Sequence, residues 1–108
     1  MEFQMEENMT TDKEVSEGIK AYGEALLFAS VASTREDLAG VEENYWIAYN
    51  KLRDSPVEEH RLICAECLEA VARILDGEGR LSAGNDLRRQ AEGYRKPAGG
   101  EGASVREG

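Results

Sequence analysis

The chain has 108 residues, 41% hydrophobic and 32% charged, with a net charge of −9 at neutral pH. This is the composition of one globular domain rather than of a disordered chain. No apolar run reaches the roughly 18 residues of a membrane span, the acidic start Met1-Glu2-Phe3-Gln4 is not that of a secretory leader, and the negative charge disfavours a nucleic-acid backbone or an anionic membrane as the main partner.

Residues 1–10 are polar and carry no helical stripe, and they read as a flexible lead-in. Three helix-start signals follow at intervals of 22 residues: Thr11 with Glu14, Ser33 with Glu36, and Ser55 with Glu58. Each is a capping box, in which the hydroxyl accepts from an unpaired first-turn N–H and the glutamate accepts from the cap's own N–H. Pro56 suits the first position of the third helix, where its missing N–H is not needed. The spacing predicts three helices of similar length joined by tight turns, an up-down-up arrangement rather than a sequence repeat.

Helix one, over 11–32, places Val15, Ile19, Tyr22, Leu26 and Ala29 on one face. Leu27, Phe28 and Val31 lie off that face, so one neighbour does not cover them, and they point to a homodimer or to burial beneath helix four. Helix two, over 34–53, buries Leu38, Val41, Tyr45, Ala48 and Leu52, with Tyr49 beside that stripe. Trp46 falls on its margin and Ile47 nearly opposite, between Glu43 and Lys51. Helix three, over 56–76, buries Val57, Cys64, Leu68, Val71 and Leu75, flanked by Cys67 and Ile74, and ends at Asp76-Gly77-Glu78-Gly79. A shorter helix over 81–95 rests on Leu81, Leu87, Ala91 and Tyr94, interrupted by Gly84. Residues 97–108, rich in glycine, have nothing to bury and read as a disordered tail, which leaves 11–96 as the helical domain.

Charge is unevenly distributed. Residues 1–45 hold 11 acids against 3 bases, net −8, whereas residues 46–108 are near balance at net −1. The basic segment over 80–96 is expected to lie beside the acidic first helix and offset it.

Few residues suggest chemistry. His60, Cys64 and Cys67 share a helical arc and are zinc-type ligands, but His60 and Cys67 stand about 10 Å apart along an ideal helix, too far for one ion. They read as a buried histidine and two small hydrophobes, with no metal and no cofactor. Cysteines three apart within one helix also indicate no disulfide framework. Glu66-x-x-Glu69 resembles one half of the acidic magnesium site of helical nucleotide pyrophosphatases, without the companion Glu-x-x-Asp. Arg53-Asp54 followed by His60 resembles the arginine, polar residue, histidine pattern of HEPN-type ribonucleases, also small helical bundles. That resemblance implies Arg53 steadying a phosphate and His60 in proton transfer, without a metal.

The expected architecture is an all-α antiparallel bundle of three long helices plus a shorter fourth. The expected function is that of a cytoplasmic, non-enzymatic interaction module of inhibitor, immunity or adaptor type, occupying a protein partner with a basic surface. Trp46, Ile47 and Tyr49, together with Leu27, Phe28 and Val31, form its contact surface. Self-association into a homo-oligomer is expected alongside this. The alternatives are the HEPN-like ribonuclease reading and a purely self-assembling homodimer.

Overall fold

A computed structural model describes residues 11–96. The expected lead-in over 1–10 and tail over 97–108 lie outside the described residues. Among the described residues there are four helices and no strand: α1 (Asp12–Val31), α2 (Arg35–Leu52), α3 (Glu58–Gly77) and α4 (Leu81–Arg95). The protein is thus an all-α antiparallel bundle of three long helices and a shorter fourth. None of the described helices is long and apolar enough to cross a membrane.

The first cap forms as the sequence predicts. Thr11 Oγ1 accepts from the Glu14 N–H at 3.1 Å, and Glu14 Oε1 accepts from the Thr11 N–H at 3.3 Å. The second box is shifted by one residue. Thr34 caps α2, accepting from the Asp37 N–H at 3.0 Å, while Asp37 Oδ2 accepts from the N–H groups of Thr34 and Ser33. Those bonds hold the Asp37 carboxyl below its ordinary pKa and leave Glu36 outside the cap. The third box does not form. Val57 is the N-cap of α3 with no side-chain bond, Pro56 precedes the helix, and Ser55 instead closes the turn, its Oγ accepting from the Val57 N–H at 3.2 Å and meeting His60 Nδ1 at 2.7 Å. The C-terminus of α3 has both bonds of a Schellman motif: the Arg80 N–H donates to the Leu75 carbonyl at 2.9 Å and the Gly79 N–H to Asp76 at 3.0 Å. Gly79 takes the left-handed φ of 84° that this ending requires.

Packing runs in sequence order. α1 packs on α2, α2 on α3, and α3 on α4, so α3 is covered on two sides and buries the most, including Cys64, Ala65, Cys67, Leu68, Val71 and Ala72. Val57, predicted to be core, is exposed at the cap. α2 buries Val41, Tyr45, Ala48, Tyr49 and Leu52, the wide stripe of a helix held between two neighbours.

The face of α1 that meets α2 is not the predicted one. Gly18, Ala21 and Ala25 are buried there, a row of small residues that lets the two backbones approach until Gly18 lies directly against Leu52 and Lys51. The larger stripe of the same helix is turned sideways: Val15 and Tyr22 are half-buried, and Ile19, Leu26 and Ala29 stay exposed. Close fit of small residues decided the rotation of α1, and total apolar content did not.

Charge pairing also departs from expectation. The basic α4 packs on α3 rather than on α1. Arg95 makes a two-bond contact with Glu69, at 2.7 and 3.1 Å, which holds the Glu69 carboxyl below its ordinary range. Arg88 pairs with Asp76 and Arg89 with Asp86. Gly84 is no interruption of α4 but a point of close approach to Asp76 and the Ala72 carbonyl.

Candidate functional site

Three of the six expected contact residues meet in one groove. Phe28 and Val31, one turn apart at the end of α1, face Ile47 of α2 across an open cleft of about 530 Å³. They are 44%, 71% and 38% exposed, and α4, on the far side of α3, does not cover them. Gly40 supplies open floor, since a methyl placed there would touch nothing within 4 Å. The rim is acidic: Glu36, Asp37 and Glu43 line it, and among the described residues no lysine or arginine does. The shifted cap is the local reason, because Asp37 serves the helix end and Glu36 is left to project beside it.

The sequence carried a signal for this rim that side-by-side reading of stripes missed. Glu36, Gly40, Glu43 and Ile47 recur at steps of four, three and four and so share one face of α2. That face reads as polar and unremarkable until α1 brings Phe28 and Val31 next to it.

The other three expected residues go elsewhere. Tyr49 is 8% exposed and belongs to the core, a correction forced by α4: its ring meets Tyr94 edge-on at 5.7 Å and the two hydroxyls lie 3.0 Å apart. Trp46 is half-buried against Tyr49, edge-on at 5.7 Å, with its ring N–H donated to Glu42 at 3.3 Å. It does not line the groove. Leu27 is exposed on α1, also outside the groove lining.

Arg53 and His60 are each engaged in structure. The Arg53 guanidinium lies over the Tyr49 ring, 5.4 Å from its centroid, and the His60 ring is held through Nδ1 by Ser55. Arg61, beside His60, stacks on Tyr94 and donates to the Gly93 and Lys96 carbonyls at the end of α4. Cys64 and Cys67 are free and buried. Burial pushes their thiols up to about 11 and about 12, so at neutral pH they are protonated. Among the described residues no group of three or more His, Cys, Asp or Glu side chains is placed to hold a metal ion. Glu66 and Glu69 also make contacts between helices: Glu69 accepts from Arg95, and the exposed Glu66 accepts from the Tyr22 hydroxyl at 3.3 Å.

No family model, curated protein or solved structure matches this chain.

Proposed function

We propose that the chain is a non-enzymatic interaction module that acts by occupying a protein partner, and that the Phe28, Val31 and Ile47 groove is its contact surface. One observation carries the reading: apolar side chains from two helices converge on an open cleft whose charged lining, among the described residues, is Glu36, Asp37 and Glu43. An apolar centre with a rim of one sign is the layout of an interface, in which desolvated anchors give affinity and the charged rim gives on-rate and selectivity. The rim selects a partner presenting apolar residues beside lysine or arginine. The strongly acidic first half of the chain, net −8 over residues 1–45, extends the same attraction to longer range.

Affinity capture from the native cell with wild-type protein and with Phe28→Glu tests the reading. A partner retained by the wild type at low salt, weakened at 0.5 M salt and absent with Phe28→Glu is the expected result. Retention of the same partner by Phe28→Glu places the contact elsewhere. Sedimentation of the purified chain separates the self-assembling alternative: a dimer lost in the same variant makes a second copy the occupant.

A further inference from the structure

α1 stands at one end of the helix row, packed on α2, and its far side is bare. Ile19, Lys20, Gly23, Leu26 and Leu27 lie there, within about 120° of the helix surface and nearly opposite Gly18, Ala21 and Ala25. All five are exposed, Ile19, Leu26 and Leu27 by 44%, 47% and 63%. None of them lines the groove described above, so the function proposed for that groove leaves this face unused.

The face differs in charge from the chain around it. Residues 1–45 are net −8, yet among the described residues from Lys13 to Val31 the exposed positions carry Lys13 and Lys20 and no acid. Glu14 is turned into its cap, Glu17 bonds Lys51 at 2.9 Å, and Glu24 is partly buried. That pattern selects the occupant. A two-fold contact sets a surface against itself, so in a chain of net −9 an acidic surface repels its own copy, as the groove with Glu36, Asp37 and Glu43 would. The far side of α1 meets its own copy without that repulsion, and its lysines repel a partner with a basic surface.

The face also matches itself. In an antiparallel pair of α1 helices crossing at Gly23, residues whose numbers sum to 46 meet. Ile19 then meets Leu27, and Leu26 meets Lys20, whose apolar stem covers it while the ammonium reaches water. Gly23 stands in a helix interior, where glycine is disfavoured against alanine, and a methyl there would touch nothing within 4 Å in its own fold. Two backbones crossing at close range give this glycine a use. We propose that the chain forms an antiparallel homodimer through this face of α1, with the two-fold axis at Gly23 and the Ile19 and Leu27 contacts on either side. From Ser16 to Ser30 the contact is about 21 Å long, one helix against one helix, which is short of the roughly 800 Å² per partner of a standard interface. The dimer is accordingly weak, half-formed at about 10–100 µM.

Sedimentation equilibrium of the full chain from about 5 to about 500 µM tests this, the mass rising with concentration from the 11.9 kDa of one chain towards twice that value. Ile19→Lys and Leu27→Glu should each weaken association by about tenfold or more. An equimolar mixture of the two variants should recover it to within severalfold of the wild type, because the new lysine of one copy faces the new glutamate of the other while the second Ile19 and Leu27 contact stays native. Both positions are exposed, so the unfolding midpoints should stay within a few degrees of the wild type. Gly23→Ala should weaken the dimer while stabilising the monomer, and Phe28→Glu should leave the dimer intact. The proposal is overturned by a wild type that stays monomeric throughout, by a dimer that survives both single variants, by a mixture that associates no better than either variant alone, or by a dimer lost in Phe28→Glu, which would place the contact in the groove.

Discussion

Gly18→Ala tests how α1 docks, and its sign is opposite to what helix propensity alone gives. Alanine in a helix interior is favoured over glycine by about 0.5–1 kcal/mol. At Gly18, however, the new methyl would stand 2.8 Å from Leu52 Cγ and 2.9 Å from Lys51 Cβ, against the roughly 3.5–4.0 Å that two carbons prefer. Leu52 is fully buried and has nowhere to move, so α1 must shift outward along its row of small residues. Overpacking of this kind costs about 1–3 kcal/mol, which set against the propensity gain leaves the variant destabilised by about 1 kcal/mol at the middle of the range and by roughly 2.5 kcal/mol at most. For a domain of this size that lowers the midpoint by about 4–8 °C per kcal/mol. Gly23→Ala is the internal control: it lies in the same helix, where a methyl meets nothing within 4 Å, and should raise the midpoint by a few degrees. Thermal unfolding followed by circular dichroism reads both. If Gly18→Ala stabilises as Gly23→Ala does, α1 does not meet α2 through its small-residue face and the exposure of Ile19 and Leu26 is misassigned.

Ser55→Ala removes both bonds of the turn before α3 and should lower stability by about 1 kcal/mol in chemical denaturation, with His60→Ala giving no further loss in the double variant because the two share one bond. Stability should fall as pH rises above 9: burial holds the Cys64 and Cys67 thiols at about 11 and about 12 against an ordinary value of 9.0, so in that range the unfolded chain has lost protons that the folded chain keeps. A denaturation series at pH 7 to 10.5 checks this, and the decline should be shallower in Cys67→Ala, measured against that variant's own neutral-pH value. Gly40→Ala should stabilise α2 by about 0.5–1 kcal/mol, since the new methyl meets nothing. It narrows the floor of the groove, so a weaker contact in a more stable protein is the expected pair of results, read by unfolding and by binding.

Helix number and type were legible, and so were the start of α1 and the end of α3, because they depend on local chemistry: the Thr11 box and the Gly79 ending each act over a few residues. Choices that depend on a neighbour were not legible. Ser33 and Thr34 both offer a cap, with Glu36 and Asp37 as matching partners, and the chain uses the second pair. On α1, the larger stripe promised more burial, yet the smooth Gly18, Ala21 and Ala25 face takes α2. Tyr49 looked peripheral until Tyr94 arrived from a helix 45 residues away. The groove shows the same limit: Ile47 stood out as an apolar residue on a charged face, whereas its meeting with Phe28 and Val31 is a property of how two helices cross.

The most direct test of the groove as the contact surface is to measure cooperative unfolding and partner affinity on one preparation of Ile47→Glu. Ile47 is 38% exposed and lies at the groove edge, so a glutamate there keeps its carboxylate in water and should move the unfolding midpoint by no more than a few degrees. It also places a fourth carboxylate beside Glu36, Asp37 and Glu43 in exchange for an apolar anchor, and affinity should fall by about tenfold or more. Loss of cooperative unfolding in Ile47→Glu would put this residue in the core, and unchanged affinity in a stably folded variant would put the contact on another face. Either result contradicts the account.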